Sequence, residues 1–511
     1  MNIEDIKIQS LLKKIIYNDF LTEDDKILFQ SHRDDIQIFK ESQVFKNLQF
    51  QVIDKCIQNN DVLTWGRIFF PSKFPSRFCY ELHQYFVDIM YSPYTVTMAP
   101  RGASKTTIMC FLIPTYIGLN NSEKYNHIVN IQCTSDRGES RNREIRVEFE
   151  ENQLLREYYC EYKGMGELVS KYWTGAQFQL TNGVVFTGLS AEGNIKGTSY
   201  RNIRPKFLVI DDLYREEDIS FPTARKRRTD WFDSAVIPAM SAKEDEPCIH
   251  IIGTAIAQDD LYHKKKDAAS FKFRKFQTIK NYETKEVLWP ERFPFEDIMN
   301  IKIGQNMSTI TFNREYQNEI TSDEESCIKE YWIKWYDEID FSKENFISRV
   351  LCVDPSIGKG NDSDYTGLAV ISKTHNIELD MDRYYVEYVD QKRLSMQQRI
   401  DTINDLAEQF KADMILVEAV SGFNDFLEQL TKNTTFYVRK VNGKNKYQTL
   451  QMKSGFFENG KVFVKNTIDA KLKRELVDQL TLNFPPHDDM RDAVLMGLNE
   501  QFGKIGCIRI I

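Results

Sequence analysis

Ala99-Pro100-Arg101-Gly102-Ala103-Ser104-Lys105-Thr106 lies between two apolar runs, Tyr94–Met98 and Ile108–Leu112. A tight loop between a buried strand and a helix is where backbone N–H groups and a helix N-terminus can cradle phosphates. In that setting Lys105 neutralises the β- and γ-phosphates of ATP and the Thr106 hydroxyl holds Mg²⁺. Ala99 and Ser104 replace the two glycines of the usual Gly-x-x-x-x-Gly-Lys-Ser/Thr spelling, so strand, loop and helix together carry the reading. Arg101 can reach the γ-phosphate as an arginine finger in cis, brace the loop, or contact DNA. A second apolar run, Phe207–Ile210, ends in Asp211-Asp212. Asp211 is placed to bind Mg²⁺ through water, and Asp212 to polarise the attacking water. As plain helix caps the two acids would do neither. A third run, Cys248–Ile252, leads into Gly253-Thr254-Ala255, where Thr254 can sense hydrolysis or serve only as a turn.

A different chemistry follows. Arg349–Val353 is a strand pattern ending at Asp354, followed by the turn Pro355–Gly360 and a strand from Tyr365 to Ile371. Asp413–Val417 ends at Glu418, and Pro485-Pro486-His487-Asp488-Asp489 opens a helix. An acid at two strand ends and one on a helix can hold two divalent ions that activate water for phosphodiester cleavage. Hard carboxylate oxygens suit Mg²⁺ or Mn²⁺. Asp489 is the favoured third ligand, with Asp492 and His487 in support. Asp488, Asp489 and Asp492 fall within one helical turn, and each remains open.

These residues require α/β elements to hold them. Residues 1 to about 60 are charged, with helical spacing in Ile6, Leu11, Leu12 and Ile15, and read as an N-terminal helical extension. Residues 61–320 alternate β-rich and helical runs, as an α/β sheet domain does, and with the loop 99–106 and Asp211 they are expected to form a P-loop ATPase domain of RecA/ASCE type. Residues 321–347 open with the polar run Thr321–Ser326 and read as a linker. Residues 348–511 begin a second α/β pattern, expected to be RNase H-like. The 511 residues are 41% hydrophobic, enough for two or three cores. No apolar run is long enough to span a bilayer, and the acidic start lacks a signal-peptide pattern. A soluble, intracellular protein is the expectation. The nine cysteines contain no Cys-x-x-Cys pair, which argues against zinc and disulfide frameworks. A net charge of −8 advertises no general affinity for DNA, although a local basic track would suffice.

Taken in order, these motifs resemble the large terminase subunit of tailed bacteriophages, over residues 65 to 500 or so. Further pieces of that resemblance are Gly193-Asn194-Ile195-Lys196-Gly197, Asp259-Asp260-Leu261-Tyr262, Trp289-Pro290-Glu291-Arg292-Phe293 and Phe312–Asn318. Gly358-Lys359-Gly360 with Asp364-Tyr365 resembles part of the nuclease pattern. Two positions depart from it. Asp212 stands where the family has glutamate, leaving Glu216 and Glu217 as alternative water-polarising acids, and Lys196 stands where arginine is expected. The resemblance implies a motor that pumps double-stranded viral DNA into a procapsid and a nuclease that cuts concatemers. It implies a portal protein and a small terminase subunit as partners, a ring of five copies, and host cytoplasm as location, with transient docking on the procapsid. A DNA track is expected around Arg439, Lys440, Lys444, Lys446, Lys453, Lys461, Lys465, Lys471, Lys473 and Arg474, with Tyr447, Phe456 and Phe457 interleaved. The bland alternative is a solvated lysine-rich face. A helicase-nuclease of DNA repair would share the two sites but should carry further helicase motifs, and a capsid scaffold would not keep Lys105, Asp211, Asp354 and Glu418.

Overall fold

Strands that are apolar on both faces need cover on both, and the runs of the first 320 residues are of that kind. They form one eight-stranded sheet. Its strands are β1 (Tyr94–Met98), β2 (His127–Gln132), β3 (Val169–Trp173), β4 (Gln177–Leu180), β5 (Val185–Ser190), β6 (Phe207–Asp211), β7 (Cys248–Gly253) and β8 (Lys272–Lys275). The order is β3-β4-β5-β2-β6-β7-β1-β8. Every pair from β5 to β8 is parallel, and β3 and β4 add an antiparallel edge. The loop after β1, the residues after β7 and the end of β6 therefore share one edge of the sheet, the carboxyl edge where open α/β sheets bind ligands. A short hairpin, β9 (Ile279–Asn281) with β10 (Glu286–Val287), lies outside this sheet.

The computed structural model describes residues 3–75, 77–191, 193, 195, 203–215, 218, 221–304, 307–320, 327–355, 365–419, 424–442, 446–483, 485 and 487–498. The chain divides into two units, Met1–Asp297 with Arg314–Ile320, and Ile298–Asn313 with Thr321–Ile511. Residues 298–313, inside the stretch read as the first domain, thus group with the second. Ser308, buried, donates to the Gln451 carbonyl at 3.3 Å, and the Thr309 N–H donates to Glu458 at 2.8 Å. The N-terminal segment is helical, and its helix Gln43–Gln58 is capped by Ser42. This helix sends Phe50, Ile53 and Cys56 into the core around Trp65. Among the described residues no helix is long and apolar enough to cross a membrane. The eight described cysteines are free, and all but Cys160 are buried.

The second unit holds β11 (Lys334–Tyr336), β12 (Glu344–Asp354), β13 (Thr366–Asn376), β14 (Met381–Lys392), β15 (Met414–Ala419), β16 (Val438–Asn442) and β17 (Val462–Lys465). Their order is β11-β17-β14-β13-β12-β15-β16. The stretch from β14 to β16 has the RNase H-like order, third, second, first, fourth, fifth. There β13 is antiparallel to both neighbours, and β12, β15 and β16 are mutually parallel. The helix Asp489–Gly497 lies across β12 and β13 on two glycines. A Cβ on Gly367 would stand 2.1 Å from the Asp489 carbonyl oxygen, and one on Gly497 would meet Ile371 Cδ1 at 2.4 Å.

Two expectations need correction. The stretch 321–347 is not a linker beyond residue 326: Cys327, Ile328 and Ile333 are buried in the second core, and β11 pairs with β17. Residues 321–326 lie outside the described residues. Tyr447, Phe456 and Phe457 are also core residues, because the helix Lys446–Glu458 turns them inward, so they are not stacking platforms for bases.

Candidate active sites

In the first unit, the loop after β1 is pinned along its length. The Ala99 N–H donates to the Gly253 carbonyl at 3.0 Å, and the Arg101 N–H to the Glu315 carbonyl at 2.9 Å. Pro100 follows Ala99, and its carbonyl accepts from the Ala103 N–H at 3.3 Å. Gly102 has φ +77°, and a Cβ there would also stand 2.9 Å from the Phe293 ring. Ser104 takes φ +58°, a left-handed conformation that costs a non-glycine residue energy and is tolerated where surroundings enforce it. The helix then starts at Lys105 and is π-form over Thr107–Leu112 before becoming α-form at Ile113. Pro114, at the start of that α segment, has no N–H to give.

The strand ends converge on Lys105. Its side chain is buried, donates to Thr254 Oγ1 at 3.2 Å, and lies 3.6 Å from Asp212 Oδ1. Asp211 is buried, and its Oδ2 accepts from the Gln132 amide at 3.3 Å, while its Oδ1 has no partner. Burial, then the Asp212 charge, holds the Asp211 carboxyl above its ordinary range, and Lys105 and the Thr106 hydroxyl oppose them. A buried carboxylate oxygen without a donor, beside Thr106, fits a hard cation. Asp212 has φ +41° and anchors its N–H on the Ile252 carbonyl at 3.1 Å. Behind Thr254, the Ala255 N–H donates to Asn318 Oδ1 at 3.0 Å. Asp260 accepts from the N–H groups of Ile256 and Ala257. Arg101 points elsewhere: its side chain is 70% exposed and pairs with Glu315 at 3.6 Å. Glu216, Glu217, Asn194, Lys196 and Gly197 lie outside the described residues.

Residues without a role of their own in the sequence reading also shape this site. Gln132 ends a wholly buried strand, and a polar residue there is the signal that would have found it. His83 is buried, accepts from the Cys79 N–H at Nδ1 (3.2 Å), and so presents Nε2–H to the Ala103 carbonyl at 3.0 Å. Arg292 donates to Ser104 Oγ at 3.3 Å.

In the second unit, Val353 pairs with Val417, so Asp354 and Glu418 leave adjacent parallel strands side by side. Burial first, then the charge of Glu418 beside it, raises the Asp354 carboxyl. The helix Asp489–Gly497 brings further acids. Asp489 is buried with its backbone against Gly367, the register partner of Asp354. The Asp492 charge also raises Asp354, which puts it with the pair. Asp488 and Asp492 both bind Lys446 Nζ at 2.7 Å, and that ammonium opposes the rise at Asp354. Burial, then the Asp488 charge, raises the Asp492 carboxyl. Among the described residues no three His, Cys, Asp or Glu side chains already stand in a metal-holding group. The donor set is all carboxylate oxygen, which suits Mg²⁺ or Mn²⁺ by type. His487 packs edge-on against Tyr365 with ring centroids 5.0 Å apart. Gly358, Lys359, Gly360 and Asp364 lie outside the described residues, as does Lys444.

No protein-family model and no curated protein matches the chain. Solved structures it is similar to include large terminases, their nuclease domains, and the yeast mitochondrial Holliday junction resolvase (18% identical, TM-score 0.20, covering 30% of this chain and 78% of that one). The HK97 bacteriophage large terminase is 12% identical with a TM-score of 0.32, covering 81% of this chain and 93% of that one. The nuclease domain of the large terminase subunit of bacterial virus Sf6 is 14% identical with a TM-score of 0.24, covering 34% and 97%. The large terminase nuclease of thermophilic phage G20c is 14% identical with a TM-score of 0.24, covering 34% and 96%. At these values the chain's activity has to be read from its own residues.

Proposed function

We propose that this chain is the large subunit of a viral DNA-packaging terminase, with an ATPase of the P-loop RecA/ASCE type in its first unit and a metal-dependent endonuclease in its second. The observation that carries the ATPase is the meeting of Lys105, Asp211, Asp212 and Thr254 at the ends of three adjacent parallel strands. The insertion of β7 between β1 and β6 supports the ASCE type. The loop 99–106 would hold the triphosphate through those of its N–H groups that are not already bonded to the Gly253, Glu315 and Pro100 carbonyls, with Lys105 on the β- and γ-oxygens. Thr106 and Asp211 would hold Mg²⁺, which neutralises charge on those oxygens when bound. Asp212 would orient the attacking water and take up its proton, and Thr254, already bonded to Lys105, would register the loss of the γ-phosphate.

In the second unit Asp354, Glu418 and Asp489 or Asp492 would hold one or two Mg²⁺ or Mn²⁺ ions, which polarise water and steady the leaving oxygen. The motor reading adds the partners that the terminase resemblance implies: double-stranded DNA, a portal, a small subunit and a ring of copies on the procapsid, in host cytoplasm. ATP hydrolysis, DNA uptake into procapsids and cleavage of long DNA, measured side by side, test it. Lys105→Ala should abolish hydrolysis and uptake while cleavage persists. Hydrolysis by Lys105→Ala at the parental rate would remove the nucleotide site, and uptake without ATP would remove the motor.

A further inference from the structure

The segment Trp289–Phe293 docks on the phosphate loop at three successive residues. The Phe293 ring covers Gly102. Trp289, 4% exposed, stands edge-on to His83 at 4.8 Å, and His83 holds the Ala103 carbonyl. Arg292 reaches Ser104 Oγ at 3.3 Å. The turn itself is rigid: the N–H groups of Arg292 and Phe293 both donate to the Trp289 carbonyl, and Trp289 Nε1 donates to the Arg77 carbonyl at 2.8 Å. The Arg292 guanidinium lies 5.2 Å from the Trp289 ring centroid and 5.4 Å from that of Phe293. Aromatic faces of this kind steer a cation without neutralising it. No carboxylate of the described residues pairs with it. Arg101, the arginine inside the loop, is instead committed to Glu315 by its backbone and its side chain.

We infer that Arg292, rather than Arg101, is the arginine that contacts the terminal phosphate of bound ATP in cis. The inference rests on the ATPase reading of this site. Ser104 is the last loop residue before Lys105, so through it the Arg292 guanidinium already rests on the loop that would hold the triphosphate. A neutral hydroxyl is a weak partner for a guanidinium, and a phosphate offers two charged oxygens to its planar fork. Nucleotide binding therefore exchanges one hydrogen bond for a charge-assisted pair. In hydrolysis a water oxygen bonds to the γ-phosphorus, and the bond to the β,γ-bridging oxygen breaks with its electrons staying on ADP. The proton leaves through Asp212. Arg292 offsets the charge that builds on the transferring oxygens.

The test uses the full chain with Mg²⁺, measuring kcat for ATP hydrolysis and the Kd of a non-hydrolysable ATP analogue. Arg292→Ala should lower kcat by about 10³-fold with Kd changed only a few-fold, and Arg292→Lys should recover part of the rate. Arg101→Ala, which removes the side-chain pair with Glu315 that braces the loop, should weaken binding of the analogue and lower kcat together rather than lower kcat alone. Parental kcat in Arg292→Ala overturns the inference, as does a loss of kcat confined to Arg101→Ala. A parallel loss of Kd and kcat in Arg292→Ala overturns it too, by making Arg292 a brace for the loop. A parent chain that neither binds nor hydrolyses ATP sinks the ATPase reading itself, and this inference with it.

Discussion

Single residues differ in how openly the sequence displays them. Asp211, Asp354 and Glu418 each close a short apolar run, and Lys105 sits in a tight loop between two, so run and polar residue are read together from neighbouring letters. Gln132, His83 and Arg292 act through contacts 79, 20 and 188 positions away, and of the three only Gln132, polar at the end of a buried strand, carries a local mark. The acids at the start of the last helix show the same boundary. Their spacing says that Asp488 and Asp492 share a face, but not which face looks at Asp354. The structure puts the Asp492 charge there and binds it to Lys446. Asp354→Ala and Glu418→Ala should each end Mn²⁺-dependent cleavage with ATP hydrolysis unchanged. Asp489→Ala and Asp492→Ala should each cut it by on the order of 10–100-fold at limiting metal, the usual effect of losing a group that holds or orients an ion. Any of the four that cleaves at the parental rate at every Mn²⁺ concentration leaves the site.

At the scale of elements, the parallel strands of the first unit were legible because unalternating apolar runs admit few other roles. The helix Lys446–Glu458 is deceptive in sequence. Lysines interleaved with Tyr447, Phe456 and Phe457 look like a nucleic-acid surface until the sheet beneath them is known. The closing helix depends on something less visible still, the missing side chain of Gly367. A Cβ there would overlap a backbone oxygen, which cannot turn aside as a side chain does. Gly367→Ala should therefore lift the start of the helix away from Asp354. A loss of about 1–3 kcal/mol of stability in the second unit is expected, with loss of cleavage and intact ATP hydrolysis. Gly497→Ala is the comparison, since it meets the flexible end of Ile371 and Cys352 Sγ, and it should be milder on both counts. Equal effects on cleavage from the two substitutions would mean that the contact at Asp489 does not set the site.

On the scale of the whole molecule, the first unit builds buried histidines into its framework. His83, His127 and His250 are each pushed down to about 4 by burial, against an ordinary 6.5. Neutral rings are tied in from both nitrogens. His250 Nε2 gives its proton to the Met90 carbonyl at 3.1 Å while Nδ1 faces Thr95 Oγ1 at 2.8 Å. His127 spans the Ile203 carbonyl and Thr187 Oγ1. Below pH 6.5 the unfolded chain takes up protons at these rings and the folded chain does not. With more protons bound to the unfolded state, the stability of unfolding falls as pH falls. The loss begins near pH 6.5 and is complete once pH has dropped through the folded value of about 4. Each ring should cost on the order of 2–3 kcal/mol over that window. Denaturant unfolding of the first unit, followed between pH 7.5 and 4, should show this slope. His250→Asn should flatten it by one ring's share, whatever it does to stability at pH 7.5. An unchanged slope in that variant would mean that the ring is protonated in the fold, or that it titrates alike in both states.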